Sequence, residues 1–266
     1  MIDLAGVSKR FPNGTLALEN IDGHIGQGEF VALLGPSGCG KSTLLRLIAG
    51  LEKPSEGRIL WQDGAPKPGE IGFVFQDSTL MPWASAAETV FLPLRLRGRK
   101  RDESKDRIIA ALDRVGLKDF AGAKPAALSG GMKMRVSIAR ALVSEPKVLL
   151  MDEPFAALDE FTRHKLQEDL RLLWRAEKKS IIFVTHSIYE AAYLATRVLV
   201  MSARPGRLVE EFEVDLDRSR PREDIVLSDR FRDLRNQVWL SVRRQAQRPE
   251  AAARGGTADG TAADAV

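Results

Sequence analysis

The sequence predicts an α/β fold, a parallel sheet with both faces covered. Three observations predict it. Wholly apolar runs at Phe30–Leu34, Val148–Met151, Ile181–Val184 and Val198–Met201 read as strands without a solvent face. Stretches of helical spacing alternate with them, as the crossovers of a parallel sheet require. The run Gly35-Pro36-Ser37-Gly38-Cys39-Gly40-Lys41-Ser42-Thr43 joins the first of these strands to the helical stretch Leu44–Ala49. Strand, glycine-rich loop and helix in that order form the context of a phosphate-binding loop.

Each element follows from its local pattern. Ile2-Asp3-Leu4 and Ala17–Ile21 read as short strands ahead of the loop, and Gly57–Trp61 and Ile71–Phe75 as two more behind it. Connections containing Pro and Gly separate them. From Ala86 to Ala141 the spacing turns helical, as in Ile108, Ile109, Leu112 and Val115, and interrupts the alternation as an insert. An amphipathic helix carrying Leu166, Leu170, Leu173 and Trp174 on one side follows the Val148–Met151 strand. After Asp215 the composition changes. Ser228 is placed to cap a helix whose stripe is Phe231, Leu234, Val238 and Val242. Residues 249–266 are mostly Ala, Gly, Thr and acids, too little apolar surface to offset ordering, so they are expected to be disordered.

Composition narrows the function. The 266 residues are 44% hydrophobic and 29% charged, the balance of a soluble globular protein. No apolar window reaches the roughly 18 residues of a membrane span, and Met1-Ile2-Asp3-Leu4 lacks the parts of a secretory leader. The single cysteine, Cys39, excludes an internal disulfide, fits a reducing compartment and is expected to be chemically silent. A net charge of +4 is too small to imply a nucleic-acid partner. Ten arginines face six acids between Asp217 and Arg254, and Arg95, Arg97, Arg99, Lys100 and Arg101 form a second basic cluster. Both read as solvated faces, with attraction to an anionic membrane surface as the sharper alternative.

Three motifs carry chemistry. In the glycine-rich loop the backbone can wrap a phosphate with its N–H groups inward, aided by the dipole of the following helix. Lys41 is expected to reach the β- and γ-phosphates and Ser42 to hold Mg²⁺. Asp152 and Glu153 end an apolar strand, whose C-terminal end belongs beside that loop. Asp152 then lies near the metal through water. Glu153 orients or deprotonates a water in line with the γ-phosphate. Leu128-Ser129-Gly130-Gly131-Met132 opens a helix and offers a second anion-binding geometry. One nucleotide needs only one such loop, so the second demands an explanation.

With these motifs in this order, residues 1–215 resemble the ATP-binding subunits of ABC transporters. The resemblance implies a P-loop NTPase (RecA-like) core, an N-terminal antiparallel β subdomain, and an α-helical subdomain inserted at about 86–141. Residues 216–248 would then be a C-terminal helical extension. It implies ATP and Mg²⁺ as cofactors and a homodimer with two ATP molecules sandwiched head to tail. Residues Gly35 to Thr43 bind ATP. Ser129, Gly130 and Gly131 cover the γ-phosphate of ATP held by the other copy. Phe11 lies where the family stacks an aromatic on adenine. Gln76 matches the Q-loop glutamine, in contact with the metal and the attacking water. Asp159, in Ala157-Leu158-Asp159, matches the loop that crosses the dimer interface. His186, in Val184-Thr185-His186-Ser187, matches the switch histidine at the γ-phosphate. Catalysis thus falls to Glu153, His186, Lys41 and Gln76, and the metal to Ser42, Gln76 and Asp152. Three departures stand out: Met132-Lys133-Met134 after the signature, Ser187 in place of an acid, and Ala156-Ala157 in place of Ser-Ala.

Leu80-Met81-Pro82-Trp83 and Ser202-Ala203-Arg204-Pro205-Gly206-Arg207 further resemble the importers of nitrate, sulfonates and taurine. That implies peripheral attachment to the cytoplasmic face of the inner membrane. Permease subunits would dock near Gln76 to Trp83, and a solute-binding protein would act indirectly. The alternatives are a non-transport ABC ATPase, for example of the iron–sulfur assembly type, and a soluble P-loop kinase.

Overall fold

The computed structural model describes residues 1–247; the segment 249–266, expected to be disordered, lies outside the described residues. The apolar runs become two sheets. Strands β1 (Ile2–Arg10), β2 (Leu16–Ile25) and β4 (Glu56–Trp61) form an antiparallel sheet in the order β2-β1-β4. The larger sheet contains β3 (Phe30–Leu34), β5 (Ile71–Val74), β6 (Val148–Asp152), β7 (Ser180–Val184), β8 (Arg197–Met201) and β9 (Leu208–Glu213). Its order is β5-β6-β7-β3-β8-β9, parallel except for β9.

Every residue of β3, β6 and β7 is buried, which is why these strands read as unbroken apolar runs. Successive side chains enter opposite cores. Phe30, Ala32 and Leu34 join one apolar cluster with Met151 and Phe183, whereas Val31 and Leu33 join another with Leu150 and Ile182. The second core is closed by helix α1 (Lys41–Ile48) and by the antiparallel sheet, through Ile2, Leu4, Leu18 and Ile21. One face is therefore covered largely by strands, which the alternation of strands and helices does not reveal.

The other face carries the remaining helices. The insert consists of α2 (Ala86–Leu96), α3 (Lys105–Arg114) and α4 (Gly130–Leu142), joined by short 3₁₀ turns. Ser85 opens α2 with a capping box: its Oγ accepts from Glu88 N, and the Glu88 carboxylate accepts from Ser85 N at 2.7 Å. Gly72 is required where the insert crosses β5, because a Cβ there would lie 2.8 Å from the Ala141 carbonyl oxygen. Helices α5 (Glu160–Glu177) and α6 (Ile188–Leu194) complete the crossovers.

The structure adds three strands or α-helices beyond those read from the sequence: α6, β9 and a short C-terminal helix. β9 is an antiparallel edge strand whose acids pair outward, Glu211 with Arg197 and Glu210 with Arg244. Its alternating Leu-Val-Glu-Glu-Phe-Glu pattern lacks the apolar continuity of the central strands. A short helix, α7 (Arg222–Leu227), precedes α8 (Asp229–Gln247). The Phe231 N–H donates to Ser228 Oγ at 3.2 Å, as the capping reading requires. Phe231 and Val238 are buried in the main core and Leu234 and Val242 pack against it, so the C-terminal extension belongs to the same packed unit.

Candidate active site

Strand order delivers the C-terminal ends of β5, β6, β7 and β3 to one edge of the sheet, where ligands of open α/β folds bind. After β3 the chain turns through Gly38 and Gly40 at φ 72° and 99°. A Cβ on Gly40 would stand 2.7 Å from Leu18 Cδ2, so only glycine fits. Gly40 provides no side-chain cap to α1, which leaves the first-turn N–H groups facing the loop. The buried Lys41 side chain folds back along the loop, and its Nζ donates to the carbonyls of Gly35 at 2.8 Å and Pro36 at 3.0 Å.

Ser42 Oγ donates to Asp152 Oδ1 at 2.9 Å. Burial pushes the Asp152 carboxyl up, opposed by that hydrogen bond and by the charges of Arg46 and Lys41. A buried carboxylate beside a hydroxyl, next to a phosphate loop, is a hard-oxygen pair that suits Mg²⁺ shared with substrate phosphates. Among the described residues no cluster of three or more His, Cys, Asp and Glu offers an all-protein metal cage.

Glu153 follows β6 with φ 48°, a left-handed conformation costing a non-glycine residue about 1 kcal/mol. Its N–H donates to the Val184 carbonyl at 2.9 Å, which anchors the turn. Its carboxylate meets two partners from neighbouring strand ends. His186 Nε2, after β7, lies 2.5 Å from Oε1, and Gln76 Nε2, after β5, donates to Oε2 at 3.4 Å. Phe11, Lys41, Ser42, Gln76, Glu153 and His186 thus line one cleft of about 430 Å³, with Ser37, Gly38, Gly40 and Thr43 on its floor. That volume lies within the range of small-molecule sites. Gly35, Pro36 and the buried Cys39 shape the loop from beneath; burial pushes the Cys39 thiol up, so it stays protonated and unreactive.

Ser129, Gly130, Gly131 and Asp159 are not among the residues lining this cleft. Ser129 caps α4, accepting from Met132 N at 3.2 Å, and Asp159 caps α5, accepting from Thr162 N at 2.9 Å. That backbone hydrogen bond holds the Asp159 carboxyl below its ordinary value. The two helix starts adjoin each other: a Cβ on Gly131 would lie 3.2 Å from Leu158 Cδ2. They form a second cluster of free N–H groups apart from the first. Ser187 caps α6, its Oγ accepting from Glu190 N at 3.2 Å.

The segment after Gln76 is tied to α4. Arg140 donates to the Thr79 carbonyl and to Thr79 Oγ1, both at 3.0 Å. Beyond this anchor Trp83 is 73% exposed.

Arg204 joins the site without a role assigned to it from the sequence, where the run Ser202 to Arg207 carries only a resemblance to the importers. Its Nε donates to the Gly38 carbonyl at 2.9 Å and its side chain lines the cleft. The usable signal is a cation in a turn at the end of β8, beside the loop strand. An exposed charge contributes up to about 1 kcal/mol. Arg204→Ala is therefore expected to raise the KM for ATP about fivefold with kcat unchanged, a split that steady-state kinetics reads directly.

Comparison with known proteins follows the same lines. Residues 18–156 match the family model described as ABC transporter. The taurine import ATP-binding protein TauB of Rhizobium johnstonii is 46% identical over 245 residues, covering 89% of this chain and 94% of that protein. The aliphatic sulfonates import ATP-binding protein SsuB of Bacillus cereus is 43% identical over 248 residues, covering 91% and 96%. A solved dimer of the ATP-binding cassette MJ0796, in a post-hydrolysis state bound to ADP and Pi, is similar with a TM-score of 0.73 and 35% identity. That alignment covers 80% of this chain and 99% of that one.

Proposed function

This chain belongs to the ABC transporter family, and from that premise we propose that it powers uptake of a small sulfonate such as taurine. It binds and hydrolyses ATP, as the family does. One observation supports the motor reading most strongly. Gln76, Glu153 and His186 converge opposite the Lys41 loop, while the Ser129 helix start stands apart from that cleft.

The residue roles are assigned from the resemblance to the family, and the convergence of Gln76, Glu153 and His186 on the Lys41 cleft supports them. The Gly35–Thr43 backbone and Lys41 hold the β- and γ-phosphates, and Phe11 lies against adenine. Ser42, Asp152 and Gln76 would hold Mg²⁺, whose charge offsets that of the phosphates. Glu153 takes the proton of the attacking water, and His186 holds the Glu153 carboxylate and donates toward the γ-phosphate. A second copy, head to tail, brings its Ser129, Gly130, Gly131 and Asp159 over this cleft. ATP then bridges the two copies, and loss of the γ-phosphate contacts releases them.

We assign permease docking to the segment from Gln76 to Trp83. An exposed tryptophan on an anchored loop suits a partner surface. No helix among the described residues is long and apolar enough to cross a membrane. Attachment at the cytoplasmic face of the inner membrane would then come from the permease, and the solute-binding protein would act on the permease's far side. Trp83→Asp is expected to leave the ATPase rate of the isolated chain within about twofold, since the residue lies outside the cleft, yet to abolish co-purification with the permease. Retained co-purification would remove Trp83 from the interface. The whole assignment is tested in proteoliposomes carrying this chain, the permease and the binding protein. Taurine or an alkanesulfonate is expected to stimulate ATP hydrolysis and enter the vesicles; ATP turnover that no sulfonate stimulates would overturn the solute assignment.

A further inference from the structure

A buried chain of hydrogen bonds runs from the C-terminal segment to the loop that carries His186. Arg222, in α7, donates from Nη2 to Gln167 Oε1 at 3.0 Å. Gln167 Nε2 donates to Glu190 Oε1 at 3.1 Å, and Thr185 Oγ1 donates to Glu190 Oε2 at 2.5 Å. Thr185 Oγ1 in turn accepts from the Ser187 N–H at 3.0 Å. The two residues bracketing His186 are thus held by one hydroxyl. Gln167, Thr185 and Glu190 are all buried.

The direction of this relay is set at its outer end. A guanidinium can only donate, so it fixes the Gln167 amide with its oxygen outward and its NH₂ toward Glu190. Glu190 then accepts from two donors, and Thr185 keeps a lone pair for the Ser187 N–H. Gln167, Glu190 and Thr185 each have their hydrogen bonds made, and a buried network of this kind rigidifies its members, although Arg222 Nη1 is buried without a hydrogen-bond partner. The Arg222 guanidinium lies 4.4 Å from the Tyr193 ring centroid and 5.3 Å from that of Tyr189. The preceding segment is clamped independently: Arg171 donates to the Arg218 carbonyl at 2.7 Å, and Arg218 donates to the Leu194 carbonyl at 2.8 Å. All of these residues lie outside the matched residues 18–156.

We propose that the C-terminal segment is a positioning element of the hydrolytic site, with Arg222 setting the placement of His186 through Gln167, Glu190 and Thr185. The effect on rate rests on the ATPase role assigned to His186; the effect on His186 itself does not. Without Arg222 the buried Gln167 Oε1 loses its donor and the side chain keeps only its bond to Glu190, so its hold on Glu190 and on the 185–187 turn slackens. Lys41 and its loop lie on another strand and keep their geometry.

The full-length Arg222→Met and Arg222→Lys variants test this. Arg222→Met is expected to lower kcat about tenfold, as a small misplacement of a reacting group does, with ATP affinity within about twofold of the parent. Arg222→Lys, still a donor, is expected to recover at least half of that loss. The imidazole resonances of His186, identified against His186→Asn, are expected to shift in nucleotide-free Arg222→Met and to return in Arg222→Lys. Unmoved resonances together with unchanged kcat would overturn the proposal, even if the melting temperature fell. Should Arg222→Met fail to fold, Gln167→Met cuts the relay while leaving the arginine on its tyrosines, and the same readings decide. A chain that hydrolyses no ATP would defeat the hydrolytic reading alone, because the His186 resonances still report the relay.

Discussion

Glu153→Gln is expected to lower ATP turnover by about a thousandfold or more while ATP remains bound. That factor corresponds to about 4 kcal/mol of barrier, the scale of losing a general base. Glutamine keeps the shape of the side chain and one acceptor oxygen for its neighbours His186 and Gln76, but cannot accept a proton. The Lys41 loop is untouched, so nucleotide affinity persists. The variant should therefore stall as an ATP-bridged dimer, read by size-exclusion chromatography with light scattering in the presence of MgATP. A variant that turns over at the parental rate would remove Glu153 from the proton-transfer role. A variant loaded with ATP yet monomeric would remove Ser129 from the shared site.

Lys41→Met is expected to weaken ATP binding at least about a hundredfold, equivalent to about 2.7 kcal/mol. The ammonium is the point charge of the loop, and charge-assisted hydrogen bonds to phosphate are the strong ones. It also spans the Gly35 and Pro36 carbonyls, so its loss slackens the loop that presents the N–H groups. Methionine fills much of the same buried space, which separates charge from packing. The melting temperature without nucleotide should move little. Titration with a fluorescent ATP analogue reads the affinity; binding within threefold of the parent would contradict the assigned role.

Much of the site is legible in the sequence because its requirements are local. Gly38 and Gly40 are demanded by the left-handed backbone of the loop itself, and Lys41, Ser42 and Thr43 follow them directly. Asp152 and Glu153 announce themselves as acids ending a wholly apolar strand. Gln76 and His186 carry no such signal of their own; each is a polar residue after a strand, and only resemblance places them in the site. Arg204 is missed for the same reason, since its contact with Gly38 spans 166 residues. β9 escapes because an edge strand buries none of its side chains fully and so lacks an apolar run, and the Arg222 relay because each of its members looks like an ordinary polar residue on a helix or loop.

What the residues determine unaided, then, is the phosphate loop, the strands that bury both faces, and the three motifs in their order. Apolar run length, helical spacing and glycine geometry are properties of neighbours along the chain. Only the tertiary structure decides that β7 lies between β6 and β3, so that His186 meets Glu153 and that pair faces Lys41. It likewise decides that the antiparallel sheet joins α1 in closing one core, and that Arg222 reaches Gln167. Those pairings are settled by which apolar faces exclude water together, a long-range property of the whole chain that no single window contains.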